Sequence, residues 1–504
     1  MSTGPTGRHE FLLDLDVSTT ATKAVLVDEA GRVAAVGVGE YGFETPQPGW
    51  SEQDPSSWWE AAQGAIGSVL ADAGTSGEAV RAVGLTGQMH GSVLLDAAGE
   101  VVRPALLWND QRTSAECDEI RSLVGARRLV QLTGNDALTG YTAPKLLWVR
   151  RHEPRNWARV AHLVLPKDYV RLRLTGEYAT DVADGSGTLL MDVSERTWSP
   201  EVMSALSLDP AMLPRLHEGP QVTGTVSRSA ADLTGLAAGT PVVAGGGDQA
   251  ANAVGVGAVR GTVGALSLGT SGVVFVPTDR PVVETLGRVH AFCHAVPGTW
   301  HVMGVMLSAA GSLRWYRDTV APGVDFGVLV EEAREVPAGA EGLRFLPYLT
   351  GERTPHADPN ARGAFVGLTV RHGRAHLTRA VLEGVAFGLR DGLELMRSAG
   401  VVLPEEFRAS GGGTRSPLWR QIVADVLGVQ LRTTQTVEGA AYGAAILAGV
   451  AAGWGGDVSE RADAFVQLAG AATEPGAAGE YDAAYDSFRQ LYPALAPGFA
   501  TLDS

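Results

Sequence analysis

Apolar and polar positions alternate from Phe11 through FLLDLDVSTTATKAVLVDEAGRVAAVG, with polar turns at VSTTA and DEAG. The pattern predicts three strands joined as a meander. PSSWWEAAQGAIGSVLADAG then repeats its apolar residues at helical spacing, with Ser57 as the expected N-cap, and AVRAVGLTG returns to a strand. Strands and helices go on mixing to about residue 250, which predicts an α/β domain. Bulky side chains thin out around Gly255, Gly257, Gly261 and Gly264, and the domain boundary is expected there, with domains at 11–257 and 258–490. A second strand run, VGALSLGTSGVVFVP, opens the second half. Its SLGTSG turn resembles the first turn, setting Thr270 and Ser271 against Thr19 and Thr20 half a chain earlier. That likeness suggests internal duplication, although such turns are also ordinary hairpin chemistry. Further on, HLTRAVLEGVAFGLRDGLELMRSAG and SPLWRQIVADVLG read as amphipathic helices, EFRASGGG as a strand ending in three glycines, and EYDAAYDSFRQLYPAL as a last helix.

Length and composition narrow the class. A chain of 504 residues exceeds what one hydrophobic core supports, and 45% hydrophobic with 19% charged residues is ordinary globular usage. A formal charge of -16 opposes a sequence-independent hold on nucleic acid or an anionic membrane. Any phosphate ligand must therefore be met locally by backbone N–H groups, hydroxyls and a metal ion. Cys117 and Cys293 are too few and too scattered for a disulfide framework or a zinc cage. No signal-like or membrane-spanning apolar stretch is present, so a soluble, cytoplasmic protein is expected.

Two glycine-rich segments suggest a dinucleotide site. GVGEYG at 37–42 fails because Pro46 and Pro48 stand where a helix should start. PVVAGGGDQAANAVGVG has strand, turn and helix in order, but Asp248 would face the pyrophosphate and no acidic residue near 268 could hold a ribose. Asp248 reads either as the N-cap of the following helix or as a general base on a glycine-lined strand end. Asp16 ends the first strand before a hydroxyl-rich turn, where it could hold Mg²⁺. Met89 and His90 follow a strand at its carboxyl end, where ligands bind in α/β sheets. Trp108, Asn109 and Asp110 form a group that could stack on a polyol and hydrogen-bond it.

YTAPKLLW at 141–148 and the span from Gly363 to Glu383 are long, spaced patterns that resemble the two signatures of the FGGY carbohydrate kinases. WSEQDP, GQMHG, LWND, LPKDY, VVAGGGD, LSLGTSG and LPYLTGERTPH resemble stretches of the family's ketopentose-phosphorylating members. The resemblance spans roughly residues 11 to 450. It implies an actin-like ATPase fold, with two ribonuclease-H-like α/β domains around a catalytic cleft. The implied reaction is ATP- and Mg²⁺-dependent phosphorylation of D-xylulose, a step of xylose catabolism feeding the pentose phosphate pathway. Ribulose, glycerol, gluconate or a deoxy-xylulose are alternative acceptors, and a non-kinase actin-like ATPase is the rival from another class.

Residue by residue, the resemblance makes Asp248 the base, Asp16 the phosphate and metal carboxylate, and Met89, His90 and Gln249 sugar contacts. It assigns ATP to Thr19, Thr20, Lys23, Gly269, Thr270 and Ser271, to a loop at Gly411, Gly412 and Gly413, and to Gly439. A homodimer is a possible assembly. Four positions depart from the family pattern. Ser18 and Ala21 replace glycines in the first turn, Gln249 stands where Asn usually follows the base, and Asp14 replaces a small or apolar residue.

Overall fold

The computed structural model describes residues 9–476, 479–499 and 501–502. Among these residues two seven-stranded sheets dominate. The first contains β1 (Phe11–Val17), β2 (Ala21–Asp28), β3 (Val33–Glu40), β4 (Val80–Gly87), β5 (Val222–Thr225), β6 (Pro241–Val243) and β7 (Gly246–Gly247). They lie in the order β5-β6-β4-β1-β2-β3, with β7 also on β4. The meander β1-β2-β3 is antiparallel, whereas β4 runs parallel to β1 and β6 parallel to β4.

The second sheet repeats the scheme. Its strands are β8 (Val263–Leu268), β9 (Gly272–Thr278), β10 (His290–Cys293), β11 (Trp300–Met306), β12 (Glu406–Ser410), β13 (Gln430–Thr434) and β14 (Leu468–Thr473). β11-β9-β8 is the antiparallel meander, β12 and β13 follow parallel to β8, and β14 closes the edge antiparallel. Strand by strand this matches β3-β2-β1-β4-β6-β5, so the expected duplication holds at the level of topology. β10 is an addition on the outer edge.

The helices cover the sheets as their apolar stripes require. α1 (Pro55–Asp72) buries Trp58, Trp59, Ile66 and Val69 on the first sheet. Its cap is Asp54, whose carboxylate accepts the Ser56 N–H, so the expectation of Ser57 missed the helix start by one turn. The proline at the first helical position explains the shift, because it belongs one residue after the cap. The long α2 (Arg374–Ser398) and α3 (Pro417–Leu427) cover the second sheet, and α4 (Asp482–Phe499) closes that unit. ALLWNDQR gives only a two-residue strand, Ala105–Leu106, so Trp108 to Asp110 lie in the loop beyond it.

Two helices join the units back to back: Asp248–Gly255 from the first and Gly439–Ala451 from the second. They cross at backbone distance. A Cβ on Gly443 would lie 1.8 Å from the Ala251 carbonyl oxygen, and one on Gly255 would lie 1.9 Å from that of Gly439. Only glycine permits this approach. Among the described residues no helix is long and apolar enough to cross a membrane, and both cysteines are buried free thiols.

Candidate active site

Parallel pairing brings three strand ends into line. Asp16 stands opposite Thr86, and Thr86 opposite Gly246. Gly245, at φ 78°, lets the chain pass so close that a Cβ there would sit 1.8 Å from the Leu85 carbonyl oxygen. Two residues beyond the row, Asp248 opens its helix into the cleft. The cap of that helix is Gly247, so the N-cap reading of Asp248 is incorrect. Its carboxyl is pushed up to about 7, first by burial and then by the charge of Asp16. A carboxyl held there matches the working range of a general base at neutral pH.

Burial also raises Asp16, and its Oδ1 is buried without a hydrogen-bond partner among the described residues. A free hard oxygen at the mouth of a phosphate turn fits Mg²⁺. Asp14 lies two residues earlier on the same face of the strand, fully buried, with both oxygens unpartnered. Burial, and after it the charge of Asp16, pushes its carboxyl well above the usual carboxylate range.

The wall expected to face the sugar is built on Met89 and His90. Met89 packs where a Cβ on Gly247 would lie, and both side chains crowd Gly187. His90 adopts φ 69°, and its carbonyl is held by Lys145 Nζ at 2.9 Å and by the Thr142 hydroxyl at 3.0 Å. Its ring is neutral because burial pushes it down to about 3. Nδ1–H donates to the Gly187 carbonyl at 2.6 Å. Nε2 is therefore left as an acceptor for a ligand hydroxyl. Tyr141 meets the ring edge-on at 4.6 Å.

Trp108 is 38% exposed and donates its indole N–H to Thr19 Oγ1 at 3.0 Å, linking this wall to the first turn. Asn109 Oδ1 has no partner among the described residues. Asp110 requires a correction. It is wholly buried, its carboxylate accepts from the Arg112 guanidinium and from the Ser51 N–H at 2.7 Å, and it has no exposed surface for a ligand. Its sequence neighbours are chemically similar, but the strand end turns its side chain inward. LPKDY proves structural too, since Lys167 Nζ is buried among Asp168, Asp181 and Asp184 at 2.7, 2.6 and 3.4 Å.

The side expected to meet the phosphates has two cavities. One of 260 Å³ is lined by Asp16, Lys23, Asn252, Ser267, Gly411 and Gly439, and so draws on both units. Lys23 is paired across it with Glu438, which sequence reading missed because the partners lie at opposite ends of the chain. Thr19 is half-buried and Thr20 exposed on the first turn. Gly269, Thr270 and Ser271 form the second turn, which accepts the Ala309 and Ala310 N–H groups through the Thr270 and Gly269 carbonyls, each at 2.8 Å. Gly411 and Gly413 lie directly against Leu268, beside that turn. They lead to a second cavity of 640 Å³ lined by Leu313, Phe326, Val330 and Trp419 and by the charged residues Arg314, Arg334, Arg415 and Glu331. A largely apolar slot with a few charged groups has the size and chemistry that an adenosine group needs. Its far wall, from Ala310 to Arg334, carried no signal in the sequence. Lys145 was also missed as a site residue, although a lysine inside the apolar run of YTAPKLLW was a visible oddity.

Family models match most of both units: the N-terminal domain of the FGGY family of carbohydrate kinases over residues 11–255, and its C-terminal domain over residues 264–452. Over 442 residues the chain is 46% identical to the xylulose kinase of Escherichia coli strain K12, covering 87% of this chain and 90% of that protein. The crystal structure of a xyloylose kinase from Brucella ovis superimposes with a TM-score of 0.90 at 41% identity, covering 97% of this chain and all of the other. A gluconate kinase from Lactobacillus acidophilus gives a TM-score of 0.92 at 26% identity, covering 98% of this chain and 99% of its own. Two enzymes named for different sugars share the fold to the same degree, so the fold does not by itself choose the sugar.

Proposed function

Since the chain belongs to the FGGY family of carbohydrate kinases, we propose that it transfers the terminal phosphate of ATP to the C5 hydroxyl of D-xylulose, giving D-xylulose 5-phosphate and ADP. The observation that carries the chemistry is a carboxyl at about 7, Asp248, which feels the charge of Asp16 from the interdomain cavity and follows Gly247, itself packed against Met89 beside the neutral acceptor His90. The choice of D-xylulose is carried by 46% identity to a xylulose kinase over most of both chains.

In this reading the sugar lies along Met89 and His90, and Nε2 of His90 accepts a hydrogen bond from one of its hydroxyls. The C5 hydroxyl faces Asp248. Its oxygen forms the new bond to the γ-phosphorus, the bond from that phosphorus to the β–γ bridging oxygen breaks to release ADP, and the hydroxyl proton passes to Asp248. A loose phosphoryl-transfer transition state demands placement more than early deprotonation, so the carboxylate accepts the proton late. Thr19, Thr20 and Lys23 hold the phosphates from one side, and Gly269, Thr270 and Ser271 from the other. Gly411, Gly412 and Gly413 pass the nucleotide into the apolar slot, with Gly439 packed behind the phosphates. Asp16 would hold Mg²⁺, which when bound neutralises phosphate charge. Closing the units over both substrates excludes water, whose attack would waste ATP. The reading places the enzyme in the cytoplasm, where ATP and reduced thiols are found.

The test is ADP release by the purified chain with Mg·ATP and a panel of D-xylulose, ribulose, gluconate, glycerol and 1-deoxy-xylulose. Turnover with D-xylulose should exceed the sugar-free rate by orders of magnitude and should give the highest kcat/KM of the panel. A higher kcat/KM on any other member would reassign the substrate.

A further inference from the structure

Arg353 has no role in the reading so far. Its loop, LTGERTPH, belongs to the second unit and is pinned on both sides of the arginine. The N–H groups of Arg353 and Leu307 donate to Glu352 Oε1 at 2.7 and 3.0 Å. The Thr354 N–H donates to the Val305 carbonyl at 3.0 Å, and the Thr354 hydroxyl donates to the Arg288 carbonyl at 3.1 Å. Between these anchors the Arg353 side chain is half-buried, yet no described residue gives its guanidinium a hydrogen bond or an ion pair. That is unusual for a group with five N–H donors, which is normally paired when it leaves bulk water.

Its position gives the unpaired group a direction. Nη2 lies 3.9 Å from the point a Cβ on Gly140 would occupy, and Gly140 is the residue whose carbonyl Lys145 holds at 2.7 Å. The guanidinium therefore reaches across to the sugar-side wall of the first unit. Contacts along that wall set an order. Asp248 follows Gly247, Gly247 abuts Met89, His90 comes next, its ring meets Tyr141, and Gly140 with Arg353 stands at the end. Arg353 thus touches the Gly140 end of the wall, beside the Tyr141 that meets the His90 ring, and no contact among the described residues joins it to Asp248. Its positive charge is also one reason that His90 and His290 stay neutral.

We propose that Arg353 is a specificity residue supplied by the second unit, donating hydrogen bonds to the C2 carbonyl and C1 hydroxyl oxygens of the ketose while the C5 hydroxyl faces Asp248. This rests on the reading of the chain as a D-xylulose kinase. A carbonyl oxygen only accepts and a guanidinium only donates; an alditol hydroxyl at C2 can accept as well, but it is tetrahedral and its own proton needs a further acceptor, so it fits the planar fork less well. The sugar would then touch both units and favour their closure.

The experiment compares wild type, Arg353→Gln and Arg353→Lys by calorimetric binding of D-xylulose and xylitol, by KM for D-xylulose and for ATP, and by melting temperature. Arg353→Gln should weaken D-xylulose binding by about 10- to 100-fold, the loss expected when a polar site gives up its matched donor. Xylitol binding and the KM for ATP should stay within about threefold, and Arg353→Lys should fall between, because it keeps the charge but loses the planar fork. D-xylulose binding within about threefold of wild type in a folded Arg353→Gln would overturn the proposal, as would equal loss for both sugars. If Arg353→Gln melts below the assay temperature, the ketose-to-alditol ratio of Arg353→Lys decides by the same criterion. A wild-type chain that turns over no D-xylulose sinks the functional reading and this inference with it. An active wild type with unaffected variants sinks the inference alone.

Discussion

At the scale of single residues the account turns on Asp248, held at about 7 by burial and by the charge of Asp16. A base acts only when ionised, so kcat/KM for D-xylulose should fall on the acid side of about pH 7 in the free enzyme. Asp248→Asn leaves the helix start intact because Gly247 is the cap, and it should lower kcat by about 10² to 10⁴. The same shift affects stability. A carboxyl whose folded pKa is raised binds more protons folded than unfolded between about pH 4 and 7, so stability falls as pH rises through that window. Asp248→Asn should therefore melt higher than wild type at pH 8, with the gap closing toward pH 4. Wild-type-like turnover in the folded variant would remove Asp248 from the chemistry. Asp16 lies at the end of a strand, and Met89, His90 and Asp248 lie just beyond strand ends, places that alternation locates in the sequence; the roles expected of them came from the family resemblance. Asp110 was misread because nothing local reveals that its carboxylate turns toward Arg112 and Ser51. Lys145 and Glu438 were not singled out because residues they bond, His90 and Lys23, lie on other elements, and Arg353 was not because its approach to Gly140 joins distant parts of the chain.

At the scale of elements, the two hairpin turns occupy equivalent places, β1-β2 and β8-β9, at the centre of matching sheets. Their polar letters and flanking alternation made them visible in the sequence. What was not visible is that the second turn is braced by the start of the Ala310–Val320 helix through the Gly269 and Thr270 carbonyls. Those bonds are made by backbone, and among the described residues no hydrogen bond engages the Thr270 or Ser271 hydroxyl. Thr270→Ala with Ser271→Ala should raise the KM for ATP by about tenfold, the effect of losing one or two hydrogen bonds to a charged group, and leave the KM for D-xylulose within about twofold. Calorimetry showing the reverse order would contradict the assignment of this turn to the nucleotide.

For the whole molecule, duplication and a glycine-packed helix crossing place two strand-end surfaces face to face. Lys23 of one unit and Glu438 of the other meet across the cleft. An arriving triphosphate must compete with Glu438 for Lys23, and the carboxylate also repels it. Partly exposed pairs of this kind are worth about 0 to 1 kcal/mol, so Glu438→Gln should tighten ATP binding by up to about fivefold. Weaker binding would instead mark Glu438 as part of the nucleotide site. The central claim is that the phosphate goes to a sugar and not to water. Its most direct measurement is phosphorus NMR of the products formed by the intact chain from D-xylulose and Mg·ATP. The account predicts one phosphomonoester on C5 of xylulose for each ADP formed. Inorganic phosphate alone, with the sugar recovered unchanged, would contradict it.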